Sequence, residues 1–184
     1  MRNTKHLIFS ALFCALLAVS SFFSFPLPPF PGDVSLQTMI IYIMIIILPS
    51  SYSFISASLY VVLGLTGLPI FSQGGGLAYV LHPTFGYALG FAAAAFIGAY
   101  LFNSTKLQKK QFLCRYILSV SIALLVIFSI GVVYMHLILN LYLNKQQAVP
   151  YSLLYGFVIF IPVELLKITA AYPVCILIKK MYNR

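Results

Sequence analysis

Between His6 and Lys106 the sequence carries a single formal charge, that of Asp33. Charged residues make up about a quarter of an ordinary soluble domain, whereas this chain of 184 residues is 62% hydrophobic and only 7% charged. Apolar segments of about 20 residues are long enough to cross a bilayer as helices. The sequence therefore predicts an all-α integral membrane protein, with residues 1–184 forming a single domain and no room for a separate catalytic domain.

The distribution of basic residues predicts the number of spans. Residues 34–65 could form one kinked helix or two short spans that turn at residues 49–51. Two spans place nine basic residues on one side of the membrane and Lys145 alone on the other, which the positive-inside rule favours, with both termini cytoplasmic. The nine are Arg2, Lys5, Lys106, Lys109, Lys110, Arg115, Lys179, Lys180 and Arg184. The six predicted transmembrane helices are 7–25, 34–48, 51–65, 84–102, 113–143 and 151–178.

Two loops on the predicted outer face are rich in residues that break helices. One follows the first span and contains Pro26, Pro28, Pro29, Pro31 and Gly32, together with Asp33. The other lies between helices 3 and 4, within the glycine-rich segment 64–91, which also contains two prolines and no charge. Because glycine allows backbone conformations that other residues avoid, this extracellular loop is a natural place for a small-molecule site.

Small residues recur at helical spacing in two spans. Ala11 and Ala15 form a stripe on the first helix that would allow close approach, either within the bundle or to a partner subunit. Gly86 and Gly90 open a longer stripe on helix 4, for which packing of another helix is a sufficient explanation.

Few polar side chains lie within the spans. Glu164 and Lys167 are three residues apart and therefore share one face of the last helix, near its middle. Each charge at bilayer depth costs about 2.5–3.5 kcal/mol on insertion scales, so both should point to the bundle interior, as a structural ion pair or as ligand-binding groups. Gln37 and Thr38 open helix 2, and His136 and Asn140 lie one turn apart on helix 5. Gln37 and Asn140 offer donors and acceptors that suit an amide-like or urea-like solute.

Several classes of function are disfavoured. The sequence has no GxSxG, HExxH or Walker motif, so it predicts neither an enzyme nor an ATPase. Cys14, Cys114 and Cys175 are too far apart for a CxxC pair, and no metal site or cofactor is expected. The formal net charge of +9 is explained by topology and by contacts to anionic lipid, without nucleic acid.

Three segments resemble one family. The sequence GLPIFSQGGGLAYVLHPTFGYALGF is similar to the signature loop and following helix of the biotin-specific substrate-binding (S) components of energy-coupling-factor transporters, the BioY family. VSLQT after the proline-rich loop and FIPVELLK in the last span also resemble that family. The chain departs from the family pattern at Val163, Glu164, His82 and Phe85, where glycine, aspartate, glycine and glycine are usual.

The resemblance implies a membrane subunit that captures biotin from outside and docks on a coupling subunit with two ATPases. It implies that Ala11 and Ala15 contact the coupling subunit, that Glu164 replaces the family aspartate and that Lys167 matches its lysine. The substrate-binding residues expected from the matched segments are Gln37, Thr38, Gln73, Gly74, Gly75, Gly76, Thr84, Tyr87, Glu164 and Lys167. Asn140 is added to them for its amide side chain. An S component for another vitamin or precursor, an ion-coupled solute carrier and a structural membrane subunit remain alternatives.

The expected binding mode divides biotin between the last helix and the glycine-rich loop. The ureido N–H groups would donate to Glu164, and its carbonyl would accept from Lys167, Asn140 or Gln37. The carboxylate would meet the amides of Gly74–Gly76 or the hydroxyls of Tyr79 and Tyr87. Phe71 and Leu77 would cover the thioether ring, with the loop acting as a lid.

Overall fold

Helices make up most of the chain. The computed structural model describes residues 2–26, 32–102, 109–145 and 147–182. In chain order the elements are α1 (Arg2–Ser21), β1 (Ser24–Pro26), β2 (Asp33–Ser35), α2 (Gln37–Ile47), α3 (Ser50–Leu65), α4 (Phe85–Phe102), α5 (Lys109–Leu137), α6 (Val149–Gly156) and α7 (Ile161–Tyr182). Short 3₁₀ turns lie at Leu77–Leu81 and Val158–Phe160, and a π-helical turn, Ile138–Tyr142, continues α5. The predicted helical fold class is confirmed.

Four segments of the described chain are long and apolar enough to cross a membrane. They are Thr4–Ser21, Phe85–Phe102, Gln111–Tyr142 and Val149–Ile178, and the shorter apolar helices α2 and α3 accompany them. The protein is therefore a multi-pass membrane protein. Of the nine basic residues on which the predicted topology rests, Lys106 and Arg184 lie outside the described residues.

Residues 34–65 are divided between two helices, as the distribution of basic residues predicts. Leu48 has an extended backbone, with φ −95° and ψ 147°, and Pro49 directly precedes α3. A residue followed by proline is pushed out of the helical region by the proline ring. The chain therefore turns at this point, and α2 and α3 have only 11 and 16 residues.

A short antiparallel ribbon, β1 paired with β2, corrects the predicted bounds of the first two spans. Ser24 pairs with Ser35, and Pro26 pairs with Asp33. The first helix therefore ends at Ser21 instead of residue 25, and α2 begins at Gln37 instead of residue 34. Three prolines of the predicted proline-rich loop, Pro28, Pro29 and Pro31, lie outside the described residues. The ribbon places Asp33 just before the start of α2.

The predicted span 151–178 lies within the apolar segment Val149–Ile178, which is long enough to cross a membrane, but it is not one continuous helix. Phe157, with φ −137° and ψ −60°, interrupts it between α6 and the 3₁₀ turn that leads into α7. Pro162 lacks the N–H that would bond back to residue 158 in a continuous helix, and its ring would crowd that carbonyl. In the first turn of a new helix this N–H is not needed. Glu164 consequently lies in the first turn of α7.

The glycine stripe on α4 packs against α5, as predicted. A Cβ atom at Gly90 would lie 2.9 Å from the Cα atom of Ile127, and one at Gly86 would lie 2.3 Å from the Cβ atom of Tyr134. Only glycine allows the two helices to approach so closely. Gly131 lies within α5 without interrupting it, as expected.

The alanine stripe on α1 faces outwards. Ala11 and Ala15 are both exposed, whereas Phe13, Cys14 and Leu17 on the other side of the helix are buried in the core. The stripe therefore does not pack within this bundle.

Candidate functional site

A cavity lies between the ribbon, α2, α4, α5, the start of α7 and the loop that joins α3 to α4 (residues 66–84), here called the α3–α4 loop. Its volume of about 70 Å³ is enough for several water molecules. Six of the predicted binding residues line it: Gln37, Thr38, Thr84, Tyr87, Glu164 and Lys167. The apolar part of the lining is largely aromatic and includes Tyr60, Phe71, Tyr79, Phe91, Phe128 and Phe160.

The polar floor of the cavity is an ion pair held by α2 and α7. The Nζ atom of Lys167 lies 2.6 Å from Glu164 Oε1 and donates to the hydroxyl of Thr38 at 2.9 Å. That hydroxyl in turn donates to Glu164 Oε1 at 3.1 Å, and the Tyr42 hydroxyl donates to Oε2 at 2.8 Å. Both carboxylate oxygens thus have partners from α2.

Burial makes this pair the dominant electrostatic feature of the site. Glu164 is 2% exposed and Lys167 is 6% exposed. An isolated charge at this depth would carry a desolvation penalty of several kcal/mol, which the opposite charge and the two hydroxyls offset. The position of Glu164 in the first turn of α7 adds a favourable interaction with the helix dipole. The break at Phe157 therefore helps to hold a carboxylate within an apolar bundle.

Gln37 connects three parts of the molecule at one side of the cavity. Its Nε2 atom donates to the hydroxyl of Tyr60 on α3 and to the carbonyl of Leu17 on α1, and its Oε1 atom accepts from Ser35. The Tyr60 hydroxyl donates onwards to the carbonyl of Ile70 at 3.0 Å. Gln37 thus lines the cavity while holding the end of α1 and the α3–α4 loop in place.

The α3–α4 loop is folded back on the end of α3. The amide of Gly76 donates to the carbonyl of Gly64 at 2.7 Å, and Phe71 and Gly74 exchange two backbone hydrogen bonds. A Cβ atom on Gly75 would lie 2.0 Å from the carbonyl oxygen of Leu68, which explains why glycine is needed there. This folding places Phe71, 4% exposed, against the cavity.

The loop does not form the predicted anion-binding nest. The amides of Gly74 and Gly76 are engaged within the loop, and none of Gly74, Gly75 and Gly76 is among the residues lining the cavity. Leu77, predicted as a cover, is 75% exposed. Its neighbour Tyr79 is buried and stacks on Phe71 with ring centroids 4.6 Å apart. The aromatic cover is therefore made by Phe71 and Tyr79.

Thr84 is the centre of a hydrogen-bond cluster at the base of the loop. Its hydroxyl lies 2.7 Å from the Tyr79 hydroxyl and 2.7 Å from Nδ1 of His82. Burial lowers the pKa of His82 below its usual value of 6.5, although the negative charge of Asp33 opposes the shift. His82 is therefore largely neutral at pH 7, and its Nδ1 lies within hydrogen-bonding distance of both the hydroxyl and the backbone amide of Thr84.

Asp33 lies at the mouth of the cavity and is the other acidic residue of the chain besides Glu164. Asp33 lines the cavity from β2, and both of its carboxylate oxygens lie 3.1 Å from Nε2 of Gln73. Gln73 is exposed and is not among the lining residues. It therefore contributes to the site through Asp33, by joining the α3–α4 loop to the ribbon.

Two predicted residues have structural partners. Tyr87 is one of the residues that line the cavity. Its hydroxyl is already engaged, because it donates to the carbonyl of Gly156 at 2.8 Å, at the break after α6. Asn140 lies in the π-helical turn after α5 and donates to the carbonyls of His136 and Gln147 at 3.1 and 3.0 Å. Asn140 does not line the cavity, so the structure does not bring it to the ion pair.

Tyr42, Tyr60 and Asp33 belong to the site although the sequence did not predict it. Tyr42 is one helical turn after Thr38, so the i, i+4 spacing on α2 could have identified it as a second hydroxyl on the same face. No comparable signal was available for Tyr60, whose position depends on how α3 packs against α2.

Comparisons with known proteins agree on one family. The model of the BioY family matches residues 1–184. A probable biotin transporter BioY of Lysinibacillus sphaericus is 37% identical over 157 residues, which are 85% of this chain and 78% of the relative. The biotin transporter BioY of Thermotoga maritima is 30% identical over 178 residues, 96% of this chain and 97% of the relative.

A solved structure has the same fold. It is the crystal structure of the S-component for biotin from an ECF-type ABC transporter, which matches with a TM-score of 0.79 at 22% identity, over 100% of this chain and 93% of that chain. At this level of identity the match establishes the arrangement of the helices.

Proposed function

The chain belongs to the BioY family, and from this premise we propose that it is a membrane subunit that binds biotin and mediates its uptake. The observation that carries the proposal is the buried Glu164–Lys167 pair at the floor of a largely aromatic cavity. The ureido group of biotin has two N–H donors beside one carbonyl acceptor. A carboxylate and an ammonium side by side are complementary to it, and charge-assisted hydrogen bonds are roughly twice as strong as neutral ones.

The proposed pose places the ureido ring on the floor and the side chain towards the mouth. The N–H groups donate to Glu164, the carbonyl accepts from Lys167, and Thr38 orients both charges. Phe71 and Tyr79 cover the rings from the α3–α4 loop. The walls of the cavity are formed in part by Gln37, Thr84 and Tyr87. The α3–α4 loop is held in position by Gln73 and Gly74–Gly76.

The α3–α4 loop acts as a lid in this proposal. A cavity volume of about 70 Å³ holds several waters but is small beside the roughly 300–1,000 Å³ of ordinary ligand pockets. The fused rings of biotin therefore enter only when the loop and its aromatic side chains shift. The described polar contacts of the loop with its surroundings include those of Gln73 with Asp33, of Tyr60 with Ile70, of Tyr134 with Val80 and of Gly76 with Gly64. In this proposal these contacts change when the loop moves.

The proposed topology has six transmembrane helices, in which α6 and α7 together form the last. Both termini are cytoplasmic and the α3–α4 loop is extracellular, because this arrangement gathers the basic residues on one side. Energy for uptake comes from a coupling subunit with ATPase subunits. The exposed stripe of Ala11 and Ala15 is the proposed contact with the coupling subunit, since small residues allow close helix approach.

Biotin binding by the purified protein is the direct test. We expect biotin to raise the melting temperature in a concentration-dependent manner, because a ligand that binds only the folded state stabilises it by RT ln(1 + [L]/Kd). The diamine obtained by removing the ureido carbonyl should give no comparable shift. Stabilisation by another vitamin and not by biotin would show that the ligand is that vitamin. Equal effects of biotin and its diamine would contradict the assigned pose.

The Tyr42→Phe variant tests whether α2 positions the carboxylate. Loss of this hydroxyl leaves Glu164 Oε2 without its protein partner, and a hydrogen bond to a charged group contributes about 1.5–3 kcal/mol. We expect Kd for biotin to rise roughly tenfold, about 1.4 kcal/mol. Isothermal titration calorimetry of the purified variant measures the change.

Tyr116→Phe is the matched control for this substitution. Tyr116 is equally buried, and its hydroxyl donates to the carbonyl of Ile168 at 2.6 Å, away from the cavity lining. It should lose stability without losing affinity for biotin. Equal effects of the two variants on Kd would show that Tyr42 acts only through general stability.

A further inference from the structure

The charges that line the cavity do not favour an anion at its mouth. Among the described lining residues the charged side chains are Asp33, Glu164 and Lys167. Glu164 and Lys167 neutralise each other at 2.6 Å. Asp33 is the remaining charge, and its oxygens meet the amide nitrogen of Gln73, which carries no formal charge.

Neither the ribbon nor the α3–α4 loop, which meet at the mouth through Asp33 and Gln73, supplies a balancing cation. No lysine or arginine occurs in the sequence between His6 and Lys106, so neither the ribbon nor the α3–α4 loop contains one. His82 is largely neutral at pH 7 because burial lowers its pKa. Free biotin ends in a carboxylate, which is ionised at this pH. Its side chain would therefore approach a carboxylate of the same sign.

We infer that Asp33 makes the site selective for biotin whose side chain ends in an amide, above all one that carries a positive charge beyond the amide bond, over free anionic biotin. This inference rests on the proposed function and on the pose with the side chain towards the mouth. Asp33 repels the carboxylate of free biotin, leaves a neutral amide unaffected and attracts an ammonium group. The ligand class is thus biotin conjugated to an amine, such as a diamine or lysine.

The size of the preference follows from the partial exposure of Asp33. Two unit charges in contact interact weakly in water and several times more strongly at the lower effective dielectric of a protein surface. Asp33 is half-buried, so solvent screens it in part. We expect each step in ligand charge to change Kd by roughly threefold to tenfold. The preference should weaken as salt is raised from about 0.01 to 1 M, over which the Debye length falls from about 30 to 3 Å.

Three ligands that differ in charge at one end test the inference. They are biotin, biotinamide and biotin joined through an amide to 1,5-diaminopentane, which are anionic, neutral and cationic at pH 7. Dissociation constants are measured by calorimetry with the full-length purified protein at low and high salt. In the wild type we expect the cationic conjugate to bind most tightly and biotin least tightly.

Two variants isolate the charge of Asp33. Asp33→Asn keeps an oxygen that can accept from Gln73, and it should bring the three dissociation constants to within about twofold of one another. Gln73→Lys places an ammonium beside the carboxylate, and it should tighten biotin and weaken the cationic conjugate. The two variants thus change the ligand preference through different residues.

The outcomes separate this inference from the proposed function. If all three ligands bind with the same affinity, or if wild type prefers free biotin and Asp33→Asn does not change that order, the inference is overturned while biotin binding stands. If none of the three ligands binds, the proposed function fails and the inference fails with it.

Discussion

Glu164→Gln is expected to raise Kd for biotin about a hundredfold. The substitution removes the negative charge that would receive the ureido N–H groups, and it leaves Lys167 buried at 6% exposure without its counterion. Removing one partner of a buried, hydrogen-bonded charge pair costs 2–5 kcal/mol or more, of which about 3 kcal/mol corresponds to two powers of ten in affinity. Calorimetry with purified protein measures this change, and thermal unfolding reports the accompanying loss of stability.

The double variant Glu164→Gln, Lys167→Met separates the role in binding from the role in folding. Replacing both members of a buried pair by uncharged residues is often neutral for stability, whereas breaking the pair is not. We expect the double variant to recover much of the thermal stability that the single variant loses while remaining unable to bind biotin. Recovery of binding together with stability would assign the pair a purely structural role, as would wild-type affinity in the single variant.

Gly75→Val is expected to displace the α3–α4 loop and to abolish tight binding. Even a single Cβ atom at this position would lie 2.0 Å from the carbonyl oxygen of Leu68 and 2.7 Å from its carbon. These are backbone atoms, so the conflict cannot be relieved by a rotamer change and the loop must move. Overpacking of this kind costs about 1–3 kcal/mol. We expect biotin to dissociate at least tenfold faster, measured by release of radiolabelled biotin.

Ala78→Val provides the control for this variant. Ala78 is exposed on the same loop, so the same increase in side-chain size meets solvent or lipid there. Its release rate should match that of the wild type. Slow release from Gly75→Val would mean that the loop is not the lid, and fast release from both variants would point to a general loosening of the loop.

The buried ion pair could be predicted from the sequence because its physical signal is local. Glu164 and Lys167 are charges within an apolar segment, three residues apart, and their burial follows from the cost of exposing charge to lipid. Their partners on α2 could not be predicted in the same way. The contact of Tyr42 with Glu164 joins residues 122 positions apart and exists only once α2 packs against α7.

The interruption of the last span has a signal in the sequence. Gly156 and Pro162 flank the break at Phe157, and proline within an apolar run commonly ends a helix. For Asn140, in contrast, the signal in the sequence was misleading. An amide in an apolar helix suggested a ligand contact, but the π-helical turn brings the backbone of Gln147 within its reach. Such a local partner depends on backbone geometry that residue types alone do not specify.

The mutual neutralisation of Glu164 and Lys167 also limits the net charge that the floor of the cavity presents. A lone carboxylate in this cavity would attract protons or metal cations to the middle of the bundle, and a lone ammonium would attract anions. With the two groups 2.6 Å apart and both carboxylate oxygens hydrogen-bonded, the floor offers a passing ion little net attraction. The pair thus adds no net charge to the interior of the bundle.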